Sequence, residues 1–150
     1  TGGALPSPFD AWLLLRSVKT LSVRVEKQFQ NAGKIARWLD SNSLVTRVIY
    51  PGLKSHKGHE ISKKQTDGKF GSMLSIIVKG DEKKAIDVAR ACKIFYPATS
   101  LGGVESLIEH RKTVSGEGFP VHPRLLRLSI GIENLDDLIY DLEQALDGAS

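Results

Sequence analysis

The chain is poor in cysteine, methionine and aromatic residues: 150 residues hold one Cys, one Met and 7% Phe, Trp and Tyr together. A single cysteine, Cys92, excludes an internal disulfide and any zinc site built from cysteines, and a reducing compartment is its expected home. No apolar run approaches the roughly 20 residues of a membrane span. The opening Thr1-Gly2-Gly3-Ala4 has neither a charged n-region nor an apolar h-region, so no secretory signal is expected. The GxGxxG fingerprint, the GxSxG elbow and the P-loop are missing too, as are internal repeats and low-complexity segments. What remains, 41% hydrophobic and 25% charged, is the mixture of one globular domain with enough apolar surface for a core.

Charge of either sign is not in large excess: 21 Lys and Arg face 17 Asp and Glu, a net +4. The basic residues gather in 54–69, at Lys54, Lys57, Lys63, Lys64 and Lys69. No recognition motif or aromatic platform accompanies them, so they read as a solvated surface, and neither nucleic acid nor membrane is an expected partner.

Ser7-Pro8-Phe9-Asp10 has the form of a helix start, with Ser7 as cap, Pro8 in the first turn and Asp10 closing a capping box. Apolar residues at helical spacing run from Trp12 to Leu39, too long for one typical helix, so a break is expected near Lys19, with Thr20 or Ser22 opening a second helix and Asn42 stopping it. Residues 45–50 are β-rich and end at Pro51-Gly52. A short polar helix is expected over 56–65 and the strongest strand over 70–78. Asp81 caps a helix over 82–92, and short strands are expected at 94–96 and 105–110. Residues 114–123 read as a loop. In 125–132, Leu126, Leu128, Ile130 and Ile132 alternate with Leu125, Arg127, Ser129 and Gly131, the period of a half-buried strand. Asn134 or Asp136 caps a last helix with Leu135, Leu138, Ile139, Leu142 and Leu146 inside. The succession implies an α+β fold, a mostly antiparallel sheet covered by helices.

Two places suggest chemistry. Arg127 should point away from Leu126 and Leu128, and its planar guanidinium matches a carboxylate in two parallel hydrogen bonds. Residue types alone leave two readings open: an anchor for a substrate carboxylate, or a strand-face arginine paired with Glu105 or Glu133. Ser100-Leu101-Gly102-Gly103 can bring backbone N–H groups close to an anion, or can be a plain turn. His56, His59, His110 and His122 are scattered and lack the i,i+4 spacing of a helical metal site. Cys92 reads as a small buried apolar residue rather than a nucleophile. No complete nucleophile–base pair is visible.

Several segments resemble the carboxyl-terminal part of the cystathionine gamma-synthase, beta-lyase and gamma-lyase family, the pyridoxal-phosphate enzymes of cysteine and methionine metabolism. They are Pro6-Ser7-Pro8-Phe9-Asp10-Ala11-Trp12-Leu13-Leu14-Leu15-Arg16, the segment 21–24, Tyr50-Pro51-Gly52-Leu53, Ser55-His56, Gly71-Ser72-Met73-Leu74-Ser75, Ser100-Leu101-Gly102-Gly103-Val104-Glu105-Ser106-Leu107 and Leu126-Arg127-Leu128-Ser129-Ile130-Gly131-Ile132-Glu133-Asn134. They stand in family order and span nearly the whole chain.

The resemblance implies the small C-terminal domain of the aspartate-aminotransferase architecture (fold type I), with 1–41 as connecting helices and 42–150 as the α+β domain. It implies that Arg127 holds the substrate α-carboxylate, that Ser100 lies beside it, and that Leu101 offers its backbone N–H. Thr99 stands where gamma-lyases of the family usually carry Glu, which argues against a standard gamma-lyase pocket. The proline and Met-Thr-His stretch usual after the Glu-Ser-Leu segment is replaced by Glu109-His110-Arg111-Lys112-Thr113-Val114-Ser115-Gly116, as in a divergent branch. The family's Schiff-base lysine, pyridine-nitrogen acid, stacking tyrosine and phosphate-binding glycines would lie upstream of Thr1. Pyridoxal 5'-phosphate is therefore expected on an N-terminal domain outside this chain. The chain holds no expected catalytic or cofactor-binding residue of its own and should be inert alone.

The parent is expected to be a cytoplasmic homo-oligomer, a tetramer in the full-length family. It would be a C–S lyase on sulfur amino acids, such as cystathionine beta-lyase, with gamma-replacement of the cystathionine gamma-synthase kind as the alternative. A non-catalytic oligomerisation or regulatory fragment is the rival from another class. The faces that would pack on an absent domain, including part of 11–18, should be exposed and apolar, so that the chain self-associates.

Overall fold

The computed structural model describes residues 2–100, 102–116 and 118–149. Helix α1 (Pro8–Val18) starts on the expected capping box: Ser7 Oγ accepts from the Asp10 N–H at 3.2 Å, and the Asp10 carboxylate accepts from the Ser7 N–H at 3.4 Å. The chain breaks at Lys19 and Thr20, where Arg24 reaches back to donate to the Ser17 carbonyl at 2.8 Å. Helix α2 (Leu21–Asp40) then runs for 20 residues and buries Gln28, Asn31, Ala32, Ile35, Ala36 and Leu39.

Strand β1 (Val45–Ile49) and helix α3 (His59–Thr66) follow. Helix α3 begins three residues later than the expected start at His56, because His56 is spent on a turn in which its Nδ1 accepts from the Gly58 N–H at 3.1 Å. Strand β2 (Met73–Val78) is also shorter than the expected 70–78: Gly71 turns the chain at a φ of 83° that a strand cannot contain. Helix α4 (Glu82–Ala91) is capped by Asp81, whose carboxylate accepts from the Lys84 N–H at 2.8 Å.

Strand β3 consists of Tyr96–Pro97 rather than 94–96. The N–H groups of Lys93, Ile94 and Phe95 are taken by the buried carboxylate of Asp141, at 2.7, 2.7 and 3.0 Å, so they cannot join a ladder. Strand β4 (Leu107–His110) leads directly into a short helix, α5 (Arg111–Ser115), where a plain strand-to-loop passage was expected. Strand β5 (Leu125–Ser129) and helix α6 (Leu135–Gly148), capped by Asn134, complete the chain.

The sheet has the order β1-β2-β5-β4-β3, antiparallel throughout except for the parallel β3–β4 pair. The α+β expectation holds. One face carries Val48, Leu74, Ile76, Val78, Ile108, Leu126 and Leu128, and it joins Ile35 and Leu39 of α2, Val88 of α4 and Leu138, Leu142 and Leu146 of α6 in one core. The second half of α2 belongs to that core, while α1 buries no residue. Alternation places Ile49, Ser75, Arg127, Ser129 and Glu109 on the opposite face, which no long helix covers.

Candidate functional site

Arg127 stands at the centre of the face opposite the core, where the strand register sets Ser75 on one side and Glu109 on the other. Its Nε forms an ion pair with Glu109 Oε1 at 2.8 Å. Neither Glu105 nor Glu133 is its partner, which corrects both pairings expected for a purely structural arginine. Glu133 is engaged elsewhere: its carboxylate accepts from the Ser106 N–H at 2.6 Å and from the Ser106 hydroxyl at 2.8 Å. Among the described residues, the two terminal nitrogens of Arg127 have no hydrogen-bond partner, and the side chain is 29% exposed. The guanidinium is thus held by one edge and open along another.

Glu109 gathers three partners. Besides Arg127, Arg111 Nη1 reaches Oε1 at 3.0 Å, and the Thr99 hydroxyl donates to Oε2 at 2.9 Å. Sequence reasoning missed Glu109 and Arg111. The signal was present in the alternation of β4, where an acid between Ile108 and His110 shares a face with Leu107 and, across the register, with Arg127.

Ser100 meets the same face at Ser129, which lies one strand repeat, about 7 Å, from Arg127 along β5. Its hydroxyl donates to Ser129 Oγ at 2.7 Å and accepts from the Gly102 N–H at 3.1 Å. Gly102 has a φ of 81°, a conformation that a side chain would strain. Leu101 falls outside the described residues. The structure therefore brings Arg127, Thr99 and Ser100 to one side of the sheet, linked through Glu109 and Ser129.

Polar residues of α2 hold the surrounding loops. Gln28 donates to the Gly103 carbonyl at 2.7 Å, and buried Asn31 donates to the carbonyls of Gly131 and Glu133 at 3.1 and 3.0 Å. Gly131 is needed for close approach: a Cβ there would lie 2.2 Å from the Val104 carbonyl oxygen. The Ser106 hydroxyl accepts from the Gly131 N–H at 2.8 Å, so the segment before β4 is clamped against the end of β5. A cleft of about 450 Å³, with Ile86, Ala89, Pro97, Ile108 and Val114 in its wall, borders Thr99 and Glu109 on the far side.

The other candidates have local structural work. His59 contacts the Pro51 carbonyl at 2.8 Å and stacks on Phe70, while His110 bridges Thr113 Oγ1 and the Pro123 carbonyl, each at 2.6 Å. Burial, helped by nearby Asp141, pushes the Cys92 thiol up to about 12, far from the range of a nucleophile. The Tyr50 phenol donates to the Gly71 carbonyl at 2.9 Å and is likewise pushed up to about 12 by burial, against the opposing charge of Arg37.

The family model for Cys/Met metabolism PLP-dependent enzymes matches residues 1–147. The chain belongs to this family. Among curated proteins it is 45% identical over 149 residues to a cystathionine gamma-synthase of Mycobacterium bovis, covering 96% of this chain and 38% of that protein. It is 44% identical over 152 residues to a cystathionine beta-lyase of Coxiella burnetii, covering 96% and 39%. Among solved structures, metB from Corynebacterium glutamicum superposes with a TM-score of 0.89 at 45% identity, covering 99% of this chain and 40% of that one. The chain thus spans about two fifths of the length of the relatives it matches. No helix among the described residues is long and apolar enough to cross a membrane.

The cluster on the face opposite the core does not itself fit the cofactor. Among the described residues it has no lysine to carry pyridoxal phosphate and no glycine-rich cradle for a phosphate. A single guanidinium fork flanked by hydroxyls fits a carboxylate.

Proposed function

We propose that this chain is the substrate-carboxylate-binding part of a PLP-dependent enzyme acting on sulfur amino acids, a C–S lyase of the cystathionine beta-lyase kind. The observation that carries the reading is the free terminal edge of Arg127, paired through Nε with Glu109 and 29% exposed on a face whose neighbours Glu109 and Ser129 are buried. Arg127 grips the α-carboxylate in a bidentate pair. Ser100, tied to Ser129, and the backbone of Leu101 complete the pocket, and Thr99 lines it beside Glu109.

Pyridoxal phosphate, held by the remainder of the full-length protein, supplies the electron sink for chemistry at the substrate α-carbon. This chain binds and orients: a carboxylate fixed at one point leaves the substrate few orientations, and orientation of that kind contributes several kcal/mol to a barrier. Residues 1–41 serve as connecting helices and 42–150 as the domain proper; the exposure of α1 supports the first part of that connector, while the second half of α2 packs into the domain's core. The chain alone is inert, and the full-length enzyme is a cytoplasmic homo-oligomer.

The test is Arg127→Ala in the full-length enzyme. Loss of kcat/KM by a hundredfold or more with the cofactor still bound is the expected result, about 2.7 kcal/mol. Unchanged kinetics would support instead an interaction module with no carboxylate to hold. Product analysis with cystathionine, and with an activated homoserine plus cysteine, separates lysis from gamma-replacement. Both kinds of enzyme occur at similar identity among the relatives, so gamma-replacement is the alternative reaction.

A further inference from the structure

Glu109 is the buried acid of the site, with a side chain only 3% exposed, whereas Arg127 and Arg111 are 29% and 34% exposed. A buried carboxylate closed face to face on one arginine would be a self-sufficient pair, and breaking it to admit another anion would be costly. The arrangement here differs in two ways. Glu109 takes only the Nε edge of Arg127, and it has a second cation in Arg111 and a hydroxyl donor in Thr99. One negative charge thus faces two positive ones. The surplus resides on the open edge of Arg127, and one incoming carboxylate balances it.

We propose that Glu109 is a positioning residue for Arg127, with Arg111 as its standing counterion and Thr99 as its anchor. The inference rests on the assignment of Arg127 as carboxylate anchor. A free arginine side chain sweeps many rotamers. Fixing Nε sets the guanidinium plane and turns the two terminal nitrogens toward the substrate, so less freedom is lost when the bidentate pair forms. Arg111 keeps Glu109 neutralised, so Arg127 does not have to choose between the buried acid and the ligand. The consequence is selectivity: the site favours an α-carboxylate over a neutral group of the same shape because the surplus charge is held at one place.

The experiment measures calorimetric binding of norleucine and norleucinamide to the full-length, cofactor-loaded enzyme. The two probes differ only in the carboxylate. Wild type is expected to prefer norleucine, and Arg127→Ala to lose that preference. Glu109→Gln is expected to weaken norleucine about tenfold or more while norleucinamide changes less than about twofold, and Glu109→Asp to recover part of the loss. In turnover, KM should rise more than kcat falls. Arg111→Ala, at a half-exposed position that leaves the buried acid in place, should also weaken norleucine selectively, because Glu109 then draws Arg127 wholly to itself. That variant carries the test if Glu109→Gln fails to fold. Equal weakening of both probes, or of neither, in the folded Glu109 and Arg111 variants would overturn the positioning role while Arg127→Ala still upholds the anchor. Retained preference in Arg127→Ala would overturn the anchor itself, and the role of Glu109 with it.

Discussion

Helices α1 and α6 are both rich in apolar residues, yet they meet opposite fates. Helix α1 carries Phe9, Trp12, Leu13, Leu14, Leu15 and Val18 in eleven residues and buries none of them. Helix α6 carries five acidic residues in fourteen and buries Leu138, Asp141, Leu142, Ala145 and Leu146. The difference lies in arrangement. In α6 the apolar residues recur at intervals of three and four and form one stripe, with the acids mostly on the other side. In α1 the run Trp12-Leu13-Leu14-Leu15 wraps the helix, so no single face of the sheet could cover it. Apolar content states how much surface seeks cover. Spacing states whether one core can provide it.

The largest expected effect separates the two helices by stability. Leu142→Ala should cost this chain about 3 kcal/mol in denaturant unfolding, from lost transfer energy and the cavity left behind. Leu14→Ala, at a position 63% exposed, should stay within about 0.5 kcal/mol. Equal losses would break the comparison, because α1 would then be packed in the isolated chain.

A somewhat smaller loss should follow at the one acid that α6 buries. Asp141→Ala leaves the N–H groups of Lys93, Ile94 and Phe95 without their acceptor, for an expected cost of about 2 kcal/mol or more. Amide exchange should speed up at Ile94 and Phe95. Unchanged exchange there would mean that this carboxylate does not hold the turn.

The uncovered helix should reveal itself through association. Sedimentation of the isolated chain is expected to show self-association, weakened about tenfold or more by the pair Leu14→Glu and Leu15→Glu, which corresponds to about 1.4 kcal/mol. A strictly monomeric profile at high concentration would show that α1 finds cover within its own chain.

The smallest effect is a pH dependence beside α6. The Cys92 thiol is raised from 9.0 to about 12 by burial and by Asp141, so the unfolded chain releases this proton first. Its contribution is fully present below pH 9 and is lost as pH rises toward about 12, by about 0.8 kcal/mol at pH 9.5. Cys92→Ala should flatten that part of the stability curve, and an unaltered slope would place the thiol in contact with water.

Much of the local structure was legible beforehand. The Ser7 capping box, the break before α2, the caps at Asp81 and Asn134 and the alternation around Arg127 each depend on residues within a few positions of one another. Of the misplaced elements, α3 and β2 moved for local reasons at His56 and Gly71, but β3 depends on a distant residue. Strand β3 shifted because Asp141 takes the N–H groups of Ile94 and Phe95. The candidate site divides in the same way: Arg127 and Ser100 could be singled out from short motifs, but Glu109 and Arg111 sit in a segment that departs from the family pattern.

The sequence by itself determined which way Arg127 faces. Strand periodicity is a property of the local backbone, and Leu126 and Leu128 had to be buried. Only the tertiary structure decided what meets it there. Pairing β4 with β5 sets Glu109 opposite Arg127, and the turn out of β4 adds Arg111. Strand register is the sum of many contacts across the sheet and between helices, so no window of the chain contains it. The burial of α6 and the exposure of α1 follow from their own spacing, one stripe against a run that wraps the helix, but which strands and helices α6 packs on was left to the tertiary structure.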